Sequence, residues 1–303
     1  MGIEGQSCAY DALSHSPSNL VGIRLMQDKL PGIPNIAGFH TSFYATIPEK
    51  AYTYPLPREC RESEMRKFGF HGTSIRFVAQ KAQEMIATKQ VISSDNPTSN
   101  LLVCHLGSGA SVTAVVGEES RDTSMGFTPL AGLMMGTRCG SVDPSLVGFA
   151  CESLNKSVDE VMTDFNERSG LRGMVDGRDF DMRALLSREM DDDQARLAVD
   201  MFVYRLAQHI AGAMVALDGP LDALVFTAGI GERSAAIRRR TMKALQPILP
   251  NAQLDEDRNV KDGEDSGGVL SIEGSWPLLL DIPTDEEAMI AMECLRVIKV
   301  KDN

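Results

Sequence analysis

The chain is 303 residues long, which is enough for one large or two ordinary domains. Hydrophobic residues make up 43% and charged residues 24%, the balance of a soluble globular protein with material for a sizeable core. A formal net charge of −12 argues against non-specific binding of nucleic acid or an anionic membrane, while leaving room for an anionic substrate in a local basic pocket. The six cysteines (Cys8, Cys60, Cys104, Cys139, Cys151 and Cys294) show no C-x-x-C spacing, so free thiols in a reducing compartment are expected. No basic segment followed by an apolar one opens the chain, and no apolar run is long enough to span a bilayer. The expected location is the cytoplasm, with no membrane and no nucleic acid as partner.

In chain order, residues 1–19 read as polar and irregular. Leu20 to Leu30 predicts a short helix with Leu20, Ile23, Met26 and Leu30 on one face, ended by Pro31-Gly32. Ile36 to Phe43 predicts a short strand. His71-Gly72-Thr73-Ser74 precedes a helical stripe at Ile75, Val78, Ala79, Ala82, Met85 and Ile86. Leu101 to Val116 is two apolar runs around Gly107-Ser108-Gly109, a buried strand and its hairpin partner. Gly126 to Gly140 is rich in glycine and methionine, with Arg138 nearly alone as a charge.

Asp143-Pro144 predicts a helix start, and Ser157 with Glu160 a capping box for the next helix. Asp193 to Leu217 predicts a long helix. Ala223 to Phe226 predicts a buried strand that runs through Thr227-Ala228-Gly229-Ile230-Gly231-Glu232 into a helix reaching Leu245. Strands are expected at Val269 to Ile272 and Pro277 to Ile282. A last helix is expected from Thr284, with Glu287 completing a capping box.

Two stretches have the form of phosphate-binding devices. At Gly107 and Gly109 a turn between strands can present backbone N–H groups with no Cβ in the way. At Gly229 and Gly231 a strand–turn–helix brings the backbone close and offers a helix N-terminus to an anion. Each alone reads more readily as an ordinary glycine turn; together they point to two loops facing one nucleotide. Arg138 is a candidate cation for a transferring phosphoryl group, or a structural partner of Asp143. His71 and His105 each sit beside glycine at the end of an element, where a buried neutral histidine is the commoner outcome. Glu286 is a possible magnesium contact or a favourable charge on a helix dipole. His209, in mid-helix, receives no function.

With these stretches assembled, the chain resembles the acetate kinase family, which includes propionate and butyrate kinases. The resemblance rests on ordered segments: Pro31 to Pro34, Pro48 to Tyr52, Phe68 to Ser74, His105 to Ser111, Asp122 to Leu130, Gly132 to Arg138, Val225 to Glu232 and Pro283 to Glu287. It implies an α/β protein of the ribonuclease-H-like, actin-type ATPase fold. It implies transfer of phosphoryl from ATP to acetate, reversibly, giving acetyl phosphate and ADP, with Mg2+, by a homodimer. Acetate or propionate would be the carboxylate.

By this likeness Arg138 and His71 would stabilise phosphoryl transfer, and His15 would line the site. His105, Leu106, Gly107, Ser108 and Gly109, with Asp181, Met182 and Arg183, and with Ala228, Gly229, Ile230, Gly231 and Glu232, would hold ATP or ADP. Glu286 would assist the metal. His40 stands where the family has a catalytic Asp, Tyr44 where it usually has His, and Ser108 and Arg233 where it has Asn. The family's first domain is longer than the part found here and carries a phosphate turn and a carboxylate-binding Arg. Residues 1–40 are therefore expected to be a remnant of that domain, 41–283 a complete nucleotide-binding domain, and 284–303 a helix returning to the first domain. The alternative function is a truncated paralogue that keeps nucleotide or partner binding and is impaired in catalysis.

Overall fold

A computed structural model describes residues 16–88 and 98–301 of the chain. They divide between a smaller unit, made of residues up to 39 with those from 290 onward, and a larger unit of residues 40–289. The smaller unit contains α1, Ser16–Lys29. Its four predicted apolar positions, Leu20, Ile23, Met26 and Leu30, are 40–50% exposed, so the helical period is present without a core to bury it.

The larger unit is built on a five-stranded sheet. Its strands are β1, Asn100–Leu106; β2, Ala110–Val116; β3, Glu119–Thr123; β4, Ala223–Thr227; and β5, Leu278–Asp281. The order is β3-β2-β1-β4-β5. β1 and β2 form the expected antiparallel hairpin, whereas β4 joins β1 and β5 joins β4 in parallel. Every residue of β1 and β4 is buried, which explains why both read as continuous apolar runs and not as alternating ones.

Alternation along the strands then sorts the core into two layers. Leu102, Cys104 and Leu106 of β1, Leu224 and Phe226 of β4, and Leu279 of β5 face one side. There α3, Asp193–Ala213, supplies Ala198, Phe202, Leu206 and Ile210, and α5, Ala235–Leu245, supplies Ile237 and Leu245. Leu101, Val103, Val225 and Leu280 face the other side, covered by Ile75, Val78, Ala82 and Ile86 of α2, Gly72–Thr88. Between β4 and α5 lies the short helix α4, Ala228–Arg233, and α6 spans Glu286–Lys301.

Five expectations are revised. Residues 16–19, expected to be irregular, form the first turn of α1. Residues 36–43 form no strand; Ser42–Thr46 is a 3-10 turn that buries the adjacent Phe43 and Tyr44 together, which an alternating strand does not do. Val269 and Ser271 make only isolated bridges, to Leu280 and Leu254, because Gly267 and Gly268 turn the backbone through positive φ just before them. The long helix stops at Ala213 and tightens into a 3-10 turn, Met214–Ala216, short of Leu217. α6 begins after Asp285, whose Oδ1 accepts the Ala288 N–H at 2.8 Å, so Asp285 and not Thr284 caps it. The capping box at Ser157 and Glu160 is present as expected.

A fully buried arginine ties the loop after β4 to the rest of this unit. Arg238 sits on the inner face of α5 with Thr241, Met242 and Leu245. Its Nη1 donates to the carbonyls of Gly231 and Glu232 at 2.7 Å each and to Asp281 Oδ2 at 3.0 Å. Its Nε donates to Asn259 Oδ1 at 2.8 Å, and Nη2 to the Asn259 carbonyl at 2.6 Å and to Asp262 at 2.5 Å. Burial raises the Asp281 carboxyl to about 8 against the pull of Arg238. Removing Arg238 leaves the Gly231, Glu232 and Asn259 acceptors and the Asp281 carboxyl without their donor in a low dielectric. Arg238→Met is expected to lower stability by about 3–5 kcal/mol in urea unfolding. Arg239→Met breaks only the half-exposed pair with Glu256 and is expected to cost under about 1 kcal/mol. Equal losses in the two variants would mean that the buried network contributes packing alone.

Candidate active site

Parallel pairing sets His105 of β1 beside Thr227 of β4, so both chains leave the sheet at the same edge. That edge, beyond the carboxyl ends of parallel strands, is where α/β sheets place ligands. The two glycine stretches therefore meet. A Cβ built on Gly107 would lie 3.7 Å from the Ala228 Cβ.

Alternation puts His105 on the α2 side of the sheet, and Ser111, its cross-strand partner on β2, shares that face. His71, in the left-handed region at φ 66°, stacks on His105 with ring centroids 4.1 Å apart. His71 Nδ1 lies 3.0 Å from Ser111 Oγ, and His105 Nδ1 lies 2.9 Å from Ser74 Oγ. Gly72 follows His71 for a steric reason. Its N–H donates to the His40 carbonyl at 3.0 Å, and a Cβ there would sit 2.1 Å from that oxygen. His40 is thereby fixed next to the pair, with its Nε2 3.8 Å from Glu286 Oε2.

Gly109 has the same kind of role. A Cβ on it would lie 3.2 Å from His71 Nε2 and 3.2 Å from Arg138 Nη1, so its bare backbone is what lets the two groups approach one point. Arg138 is half-buried, with Nη1 3.5 Å from the Pro129 carbonyl and 3.7 Å from Met135 Sδ. Its segment is tied to the first turn by the Gly136 N–H, which donates to the Ser108 carbonyl at 3.2 Å. Ser108 itself is exposed.

The second turn differs from its expected form. α4 has its leading N–H already taken: the Ala228 N–H donates to Glu232 Oε1 at 2.7 Å, and the Thr284 N–H joins it at 3.1 Å. Gly229 is exposed with open space around it, whereas Gly231 is buried, and a Cβ there would stand in ordinary contact, 3.4 Å from the Phe226 carbonyl carbon and 3.6 Å from the Cys104 carbonyl oxygen. Gly229 is thus open at this edge, while Gly231 lies packed against the sheet.

Of the remaining sequence-predicted residues, the side chains of Leu106 and Met182 lie in the core. Ile230 is packed against the same core. Asp181 caps the helix Met182–Arg188 and pairs with Arg183 at 3.0 Å, and the adjacent Phe180 ring lies 3.7 Å from where a Gly136 Cβ would be. Tyr44 is a core residue whose hydroxyl donates to the Phe70 carbonyl. His15 lies outside the described residues. Ser74, Ser111 and Thr284 were given no part in the site by sequence reasoning, although all three stand inside the motif segments. Among the described residues no group of three or more His, Cys, Asp or Glu is placed to hold a metal ion. None of the described helices is long and apolar enough to cross a membrane.

The sheet carries two glycine turns, a stacked histidine pair and Arg138 at one edge, the layout of an α/β protein with its ligand site at the strand ends. A family profile described as the acetokinase family matches residues 7–292. The chain is 42% identical to the acetate kinase of Bacillus cytotoxicus over 93% of its own length and 69% of that protein. In structure it is similar to a propionate kinase from Francisella tularensis, with a TM-score of 0.84 and 37% identity over 95% of this chain and 71% of that one. It is equally close to the Porphyromonas gingivalis acetate kinase, with a TM-score of 0.84 and 33% identity over 95% and 70% of the two chains. The chain belongs to the acetate kinase family. Its fold is the actin-type ATPase fold of those enzymes, and its class is that of a kinase-type phosphotransferase.

Burial keeps both stacked rings uncharged. It holds His71 well below the usual histidine value, helped by His105, His40 and Arg138, and lowers His105 to about 4, helped by His40. Between about pH 4 and 6.5 the unfolded chain therefore binds protons that the folded chain refuses, and stability rises with pH across that window. Acidification from pH 6.5 is expected to destabilise the protein by up to about 1.4 kcal/mol per pH unit for each of the two rings. Urea unfolding of the protein and of His105→Gln across the window measures this. An unchanged slope in the variant would mean that His105 is charged in the fold.

Proposed function

We propose that this chain binds ATP or ADP along the two turns, and that His71 and Arg138 face the phosphoryl group in transit to a short carboxylate, acetate or propionate. The convergence of His71 Nε2 and Arg138 Nη1 on the empty Cβ position of Gly109 supports this reading above all. Phosphoryl transfer asks for positioning and for charge where the transition state develops it. A cation and a neutral ring aimed at one point beside a backbone turn meet both needs. His105, Gly107, Ser108, Gly109, Ala228 and Gly229 line the path of the phosphates in this reading, with Asp181 and Arg183 further out.

The family's divalent ion is Mg2+ in this proposal. Magnesium takes hard oxygen ligands and keeps water and substrate phosphates, so a single protein carboxylate, Glu286, fits it, and His40 does not. Bound there, the ion would neutralise phosphate charge. His40 in place of a carboxylate makes the chain a weak kinase that keeps its nucleotide. Titration calorimetry is expected to detect ADP binding to the unmodified chain. The hydroxamate assay for acetyl phosphate is expected to give turnover far below roughly 1–100 per second. His40→Asp should raise turnover, and Gly109→Ala should lower it, because the added methyl displaces Arg138 Nη1 and His71 Nε2 from their common point. No ADP binding would overturn the nucleotide reading, and ordinary turnover would overturn the weak-kinase reading.

The proposal extends to a cytoplasmic homodimer. Helix Ser145–Leu154 has no buried residue, and Leu146, Phe149 and Leu154 are 45%, 67% and 59% exposed. An apolar face of this kind suits a second copy of the chain. Phe149→Asp is expected to yield monomers in sedimentation velocity; unchanged dimers would place the interface elsewhere.

A further inference from the structure

We infer that Ser74 and Thr284 are positioning residues that lock the His105 ring with its proton on Nε2, turned to the mouth of the first glycine turn. The inference rests on the site reading above, since it states what His105 offers a ligand there. Each hydroxyl owns one proton. The geometry has Thr284 Oγ1 donating to Ser74 Oγ at 2.7 Å. The Ser74 proton is then left for His105 Nδ1, 2.9 Å away. A ring nitrogen that accepts carries no hydrogen, so the neutral imidazole holds its proton on Nε2.

Burial makes this ordering strict. Ser74 is fully buried and His105 is 7% exposed, so no solvent reaches Ser74 to take a proton it cannot place. Reversal would have Ser74 Oγ accept from both Thr284 and the His105 Nδ1–H, leaving the buried Ser74 proton with no acceptor among the described residues. Thr284 is held in turn by its N–H on Glu232 Oε1. A chain of groups thus runs from the second turn to the first: Glu232, Thr284, Ser74, His105. At its end, Nε2 lies 3.6 Å from where a Cβ of Gly107 would be, on the side of the turn that has no side chain. A fixed N–H donor there is suited to a phosphate oxygen or a similar anion.

The test is nitrogen-15 NMR of the full chain, labelled at its five histidines, at neutral pH, with His105 assigned through His105→Gln. The expected spectrum shows a pyridine-type Nδ1 and a protonated, pyrrole-type Nε2 for His105. Thr284→Val and Ser74→Ala are expected to move it towards a tautomer mixture, and Thr284→Ser to restore it. A protonated Nδ1 in the unmodified chain, or no change in Thr284→Val, overturns the inference, and neither result depends on Ser74→Ala folding. ADP affinity on the same samples is expected to fall about tenfold in Thr284→Val and recover in Thr284→Ser. An unmodified chain that shows the Nε2–H form yet binds no ADP overturns the site reading while supporting the tautomer.

Discussion

The parallel pairing of β1 with β4 is the constraint from which the site follows. It joins a hairpin strand and a strand more than a hundred residues later in one register, His105 opposite Thr227. Both strands are buried on both faces, so a slip of one residue would turn Leu102, Cys104 and Phe226 out of their layer. Register, once set by packing, places both glycine turns at the same edge. It also decides which side His105 faces, and so brings it to Ser74 and His71 and not to α3.

Around this edge the protein uses uncharged rings and captive charges. The stacked histidines are kept neutral by burial, and the exposed His40 and half-buried Arg138 stand close enough to oppose their protonation. Glu232 spends its carboxylate on two backbone N–H groups, and Arg238 holds the carbonyls of the same loop from beneath. The second turn is thus clamped from both sides by groups of opposite sign. Its geometry is set before any ligand arrives.

Much of this was legible in the sequence. The hairpin, the α2 stripe and the strand at Ala223 were visible because apolar runs and helical periods report burial directly. The motif order carried the family, and with it the cluster of His71, His105 and Arg138. What was not legible depends on contacts between distant segments. Gly229 and Gly231 look equivalent in sequence, and only packing on Phe226 separates the exposed one from the buried one. Thr284 reads as a helix cap, but its hydroxyl is drawn to Ser74, 210 residues away in sequence, and Asp285 takes the cap. Arg238 sits in a basic run that resembles a solvated face; its period with Thr241, Met242 and Leu245 was the available signal. The 3-10 turn at Ser42–Thr46 was missed because alternation over so short a stretch fits either conformation.

The bond between Gly72 and His40 has an evolutionary side. The clash distance of 2.1 Å leaves glycine as the sole occupant of position 72, so that site cannot drift. Position 40 takes part through its carbonyl oxygen, which every amino acid possesses. Its side chain can therefore be exchanged while the backbone that seats His71 stays where it is. A carboxylate or an imidazole can stand at residue 40 on the same backbone, so the group presented there can change without altering the architecture.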